Sequence, residues 1–107
     1  MTKPSIGTVK VPEFIERRDA GAIVIDLRTP EEILSGKIDD AREMNCYDAD
    51  FGGKIAKLDI SGSYLLYCRS GNRSKQVLDA MGSFGFHDVH DLAGGIGEWM
   101  RLGNRVR

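Results

Sequence analysis

The stretch Tyr64–Gly85 reads YLLYCRSGNRSKQVLDAMGSFG. Tyr64–Cys68 is a short, nearly continuous apolar run, the pattern of a strand covered on both faces. From Ser74 onward, Val77, Leu78, Met81 and Phe84 fall on one helical stripe, and Gly85 offers a left-handed stop. Between them lies a small, basic, amide-rich turn, Arg69-Ser70-Gly71-Asn72-Arg73. A buried strand thus runs through a tight turn into a helix, with a thiol at the junction.

Outward from this stretch the same alternation repeats. Ala22–Leu27 (AIVIDL) is a second apolar run. TPEEILSG follows, with Thr29 as N-cap, Pro30 in the first turn, Glu32 completing a capping box and Gly36 ending the helix. A weaker strand from Ile38 toward Met44 comes next, then a loop and short helix in DADFGGKIAKLD, weakened by Gly52 and Gly53. HDVHDL (His87–Leu92) reads as a strand, and AGGIGEWMRLG as a glycine turn into a last helix. At the front, GTVKV predicts an edge strand and PEFIERRDA a helix opened by Pro12. Alternating strands and helices imply an α/β fold: a mostly parallel sheet, right-handed crossovers and helices on both faces. Ligands of such folds gather at the carboxyl ends of strands. Cys68 lies at one such end, and Asp26 and Arg28 at another.

The 107 residues suit a single domain spanning 1–107. Fifteen basic against 16 acidic residues leave a net charge of -1, so nothing argues for nucleic acid or an anionic membrane as partner. Two cysteines, Cys46 and Cys68, are too few for a disulfide framework or an all-cysteine metal site. No apolar leader opens the sequence and no segment reaches membrane-spanning length, so a reducing, cytoplasmic setting is expected.

The turn after Cys68 can do chemistry. Gly71 permits positive φ, and successive N–H groups at a helix start form a nest for an anion. The helix N-terminus adds positive partial charge, and Arg69 and Arg73 add full charges. A thiolate is stabilised in such a place, where cysteine pKa values of about 3.5–7.5 occur. The same loop would attract an anionic substrate. The alternative is a buried apolar cysteine ending a strand beneath solvated arginines.

DLRTPEE (Asp26–Glu32), YCRSGNRS (Tyr67–Ser74) and LAGGIGEW (Leu92–Trp99) together resemble, in order and spacing, the three signature segments of the rhodanese family. The resemblance covers nearly the whole chain and implies the rhodanese-like three-layer fold. It also implies a sulfurtransferase in which Cys68 attacks a small anionic sulfane donor such as thiosulfate. The persulfide so formed passes its sulfur to cyanide or a thiol, in two half-reactions. Arg69, Ser70, Gly71, Asn72 and Arg73 would bind the donor, and Asp26, Arg28, Ser74 and Trp99 would support the site. No metal or organic cofactor is implied. The acceptor could equally be a thioredoxin-like or other sulfur-relay protein. One departure stands out: where the family often shows Gly-His-Ile-x-Gly-Ala, this chain has Gly36-Lys37-Ile38-Asp39-Asp40-Ala41, which leaves the local turn open.

For the remaining residues the plainer readings compete. Asp26 and Arg28 suit a structural ion pair better than an electrostatic catalytic role. His87 and His90 lack the neighbours of a Cys–His pair and are expected at the surface or a strand end. Trp99 could wall the pocket or pack the last helix. Gly94 and Gly95 would permit the turn. Cys46 could be a resolving thiol or an incidental one, and Glu16–Arg18 reads as a solvated helix face. Among rival functions, a cysteine-dependent phosphatase uses Cys-x5-Arg, whereas here Cys68 to Arg73 is Cys-x4-Arg. A regulatory binding module would not require the intact cysteine loop.

Overall fold

The computed structural model describes residues 2–107. Its five strands are β1 (Ile6–Val9), β2 (Ile23–Asp26), β3 (Arg42–Glu43), β4 (Ser63–Tyr67) and β5 (Asp88–Leu92). They form one sheet in the order β1-β5-β4-β2-β3, with every pairing parallel. The helices are α1 (Val11–Asp19), α2 (Pro30–Ile33), α3 (Phe51–Ala56), α4 (Asn72–Ser83) and α5 (Gly95–Arg101).

Central β4 is apolar throughout because both its faces are covered. Leu65 and Tyr67 join Phe14 of α1 and Ile96 and Trp99 of α5 in one core, while Tyr64 and Leu66 join Ile55 of α3 and Leu78 and Met81 of α4 in the other. Alternate residues of a strand point to opposite faces, so one five-residue strand anchors both layers. The β4 C-terminus therefore sits at the centre of the molecule, and the loop that follows it is held from both sides.

The structure departs from the sequence expectations in several places. The weak strand shrinks to Arg42–Glu43, and Ile38 is instead buried in a loop whose N–H is satisfied by the Tyr67 hydroxyl at 3.0 Å. That side-chain partner removes the need for a ladder there. In the same loop Asp40, standing at the family's second glycine position, adopts φ 63° and is the sole non-glycine residue with positive φ among the described residues. Short polar side chains tolerate this conformation best, so the turn keeps its shape without the glycine. Helix α4 starts two residues earlier than the apolar stripe indicated, because Gly71 at φ 107° serves as its N-cap.

Arg17 is not solvated: it is buried, bonding Glu13 at 2.8 Å, Asp88 at 3.4 Å and the Lys3 carbonyl at 3.0 Å. His90 is likewise buried in β5, 2.7 Å from the Ser5 hydroxyl, whereas His87 is exposed. Burial holds the His90 pKa below the ordinary histidine value, and the Arg17 charge adds to this. No helix among the described residues is long and apolar enough to cross a membrane.

Candidate active site

Cys68 follows the last residue of β4, and its thiol lies under the turn leading to α4. The Gly71 N–H points at Sγ from 3.2 Å and the Ser74 N–H from 3.4 Å, with the Ser74 hydroxyl 3.6 Å away. Positive φ at Gly71 is what folds the chain back so that the first turn of α4 faces the sulfur. Burial alone pushes the Cys68 thiol up. The N–H and hydroxyl of Ser74, with the N–H groups of Gly71 and Ser70, outweigh it and hold the pKa below the ordinary thiol value. The thiolate is stabilised chiefly by backbone dipoles, in a site only 1% exposed.

The two arginines divide. Arg73 forms a fork on Glu32, Nη1 to Oε1 at 2.6 Å and Nη2 to Oε2 at 2.8 Å, and also lies over the Tyr47 ring at 5.7 Å. Glu32 is thereby held down at about 2, chiefly by Arg73, while Arg73 is held above the usual guanidinium value by Glu32. The same carboxylate accepts from the Thr29 N–H at 3.2 Å to complete the capping box of α2. One glutamate thus fastens α2 to the cysteine loop. Arg69 is exposed, forms no ion pair among the described residues, and lines a cavity of about 420 Å³ with Arg28, Ile96, Gly97 and Met100.

Asp26 and Arg28 form a buried ion pair with Nε to Oδ1 at 3.0 Å and Nη2 to Oδ2 at 2.7 Å. Arg28 also binds the Gly36 carbonyl at 2.7 Å, and the Tyr67 hydroxyl donates to Asp26 Oδ2 at 2.5 Å. Burial lowers the Arg28 pKa, but Asp26 more than offsets this and the net shift is upward. Burial and Asp26 both push Tyr67 up, so its phenol stays protonated as a donor. These groups brace the β2–α2 connection and are not among the partners of the sulfur.

The β5–α5 turn presses on the cysteine loop from the far side. Ile96 N–H donates to the Cys68 carbonyl at 2.9 Å and Gly97 N–H to the Arg69 carbonyl at 3.1 Å. A Cβ on Gly95 would lie 2.6 Å from the Arg69 carbonyl, and nearer still to the Cys68 oxygen. Gly95 therefore does more than permit a turn: it allows two backbones to touch. Trp99 packs edge-on against Phe14 at 5.8 Å, and its Nε1 donates to the Arg105 carbonyl at 2.8 Å. It lies in the α1–α5 core and lines neither of the cavities flanking the cysteine loop.

Cys46 and Cys68 are both free thiols. Cys46 is half-buried, and burial pushes its pKa up, so it is the less readily ionised of the two. It lines an apolar groove of about 370 Å³ with Tyr47, Phe51, Val77 and Phe84. Three residues that shape the site escaped the sequence reading. Glu32 was fully explained as a helix cap. Tyr67 read as one more apolar strand residue. Asp91 carried no motif, yet its carboxylate accepts from the Ser74 hydroxyl.

Residues 10–102 match the rhodanese-like domain. The chain belongs to the rhodanese-like family. It is 33% identical over 84 residues to a protein named thiosulfate sulfurtransferase GlpE from Pseudomonas putida, covering 78% of this chain and 74% of that one. It is also 33% identical over 81 residues to a sulfurtransferase from Allochromatium vinosum, with 76% and 74% coverage. Among solved structures, a rhodanese-related protein from Thermoplasma volcanium superposes with a TM-score of 0.83 at 25% identity, covering 94% of this chain and 96% of that one. The rhodanese-like fold, and a relationship to sulfurtransferases, are thereby shown.

Proposed function

We propose that this protein is a thiosulfate-type sulfurtransferase that carries sulfur as a persulfide on Cys68. The observation that carries the reading is the Cys68 sulfur facing the N–H groups of Gly71 and Ser74 at 3.2 and 3.4 Å, which favours the thiolate. In the first half-reaction the thiolate attacks the outer sulfur of thiosulfate. A sulfur–sulfur bond forms to Cys68, and the bond to the sulfonate breaks with its electron pair leaving as sulfite. In the second, cyanide or an acceptor thiolate attacks the outer persulfide sulfur and Cys68 thiolate departs. Because the sulfur is almost fully covered, donors whose reacting sulfur protrudes from an anionic head fit best. Arg69, exposed and uncommitted, is the residue suited to the donor's oxygens, whereas Arg73 is spent on Glu32.

That commitment of Arg73, together with the short Cys-x4-Arg loop, also weighs against a phosphatase, where the arginine must grip the phosphate. Relay of the sulfur to a protein thiol uses the same chemistry and remains within the reading. Intact mass after thiosulfate treatment tests it. Wild type should gain one sulfur, lose it on addition of cyanide or dithiothreitol, and Cys68→Ser should gain none. No adduct on wild type, or an undiminished adduct in Cys68→Ser, refutes the assignment.

A further inference from the structure

Asp91 lies on β5, beside central β4, and is 1% exposed. Its Oδ1 accepts from the Thr8 hydroxyl at 2.6 Å and its Oδ2 from the Ser74 hydroxyl at 3.0 Å. No lysine, arginine or histidine forms an ion pair with it among the described residues. A buried carboxylate held only by two hydroxyls is costly, and it stands one oxygen away from the Cys68 sulfur.

Ser74 has one hydroxyl proton and three acceptors for it: Asp91 Oδ2 at 3.0 Å, the Gly71 carbonyl at 3.3 Å and the Cys68 sulfur at 3.6 Å. A charged oxygen at the shortest distance wins that competition. We propose that Asp91 is a positioning residue for Cys68: by competing for the Ser74 proton at the shorter distance it weakens the hydroxyl's hold on the sulfur and keeps the thiolate strongly nucleophilic. The sulfur then relies mainly on the backbone N–H groups of Gly71 and Ser74, with a weakened contact to the Ser74 hydroxyl and a negative charge behind it. A thiolate stabilised too well attacks slowly, because intrinsic nucleophilicity falls with pKa by a Brønsted coefficient of about 0.4–0.5.

The other charged groups around the site are accounted for. From α2, Glu32 neutralises Arg73, and at the β2 end Asp26 and Arg28 neutralise each other. Cys46, before α3, is kept protonated by burial, and His90, next to Asp91 on β5, is kept neutral mainly by burial. Arg69 of the loop itself is exposed. Among the described residues, Asp91 is the one buried charge near the sulfur without an ionic counterpart.

The proposal rests on Cys68 being the reacting thiol, and the test reads that thiol directly, whatever the sulfur donor. The rate of Cys68 alkylation by iodoacetamide is followed against pH in a Cys46→Ser background, with and without Asp91→Asn. Removing the charge should lower the midpoint by about one pH unit and cut the high-pH plateau by about two- to threefold. A residue that merely held the loop together would, on substitution, let the midpoint rise toward an ordinary thiol. A midpoint that stays or rises overturns the proposal. Should Asp91→Asn not fold, Thr8→Val replaces it, since Thr8 is exposed on edge strand β1. Loss of its hydroxyl leaves the carboxylate charge less compensated, so the midpoint should rise. An unchanged or lowered midpoint would then overturn the proposal.

Discussion

Glu32→Gln separates two jobs that one carboxylate performs. Glutamine can still close the capping box with Thr29, but it cannot hold Arg73 as an ion pair. Held at about 2 against an ordinary 4.5, the carboxyl carries at most about 3.4 kcal/mol of stabilisation at neutral pH. Two discounts apply. The Thr29 N–H and hydroxyl supply part of the shift and survive the substitution. The Glu32 side chain is also 26% exposed, so solvent screens the pair. We expect a loss of about 1–2 kcal/mol at pH 7, read by urea unfolding. The pH dependence gives the sharper test. A carboxyl with a depressed folded-state pKa stabilises above its unfolded value and loses that contribution as pH falls through the folded one. The gap between wild type and Glu32→Gln should therefore be full above pH 4.5 and close toward pH 2. Equal stability at pH 7, or a gap undiminished at pH 2, would refute the brace between α2 and the cysteine loop.

Two further substitutions probe the walls of the site. Gly95→Ala places a methyl against the Cys68 and Arg69 backbone at φ 60°, so the loop must shift. Cys68 alkylation and persulfide formation should fall at least about tenfold, and a wild-type alkylation rate would show that the close approach is unimportant. Tyr67→Phe strips one donor from buried Asp26 and leaves the buried Ile38 N–H without its acceptor. That should cost about 2–4 kcal/mol in urea unfolding, and a loss below about 0.5 kcal/mol would contradict the network as described.

Local chemistry in the sequence was enough to place the sulfur. Apolar continuity over Tyr64–Cys68 set a strand buried on both faces, Gly71 set the turn, and Thr29, Pro30 and Glu32 set the start of α2. These signals act within a few residues and survive any tertiary context. Where such signals were weak, the reading slipped. The segment from Ile38 to Met44 carries only a weak strand signal, and the Tyr67 hydroxyl satisfies the Ile38 N–H from another element. Arg17 sits in a charged run that looks solvated until Glu13 and Asp88 close over it.

The division between the two arginines was open in the sequence, because both flank the same turn and either could reach an anion. Only the position of α2 decided it, by bringing Glu32 against Arg73 and leaving Arg69 uncommitted. Asp91 makes the same point more strongly. Nothing near it in sequence marks it, and it meets Ser74 only because parallel pairing sets β5 beside β4 in a fixed register. The sequence by itself determined where the thiol sits, since a strand–turn–helix with a left-handed glycine builds an anion nest from local backbone alone. The groups packed around that thiol come from residues far apart in sequence, and pairwise electrostatics between them exist only once the sheet has set their distances.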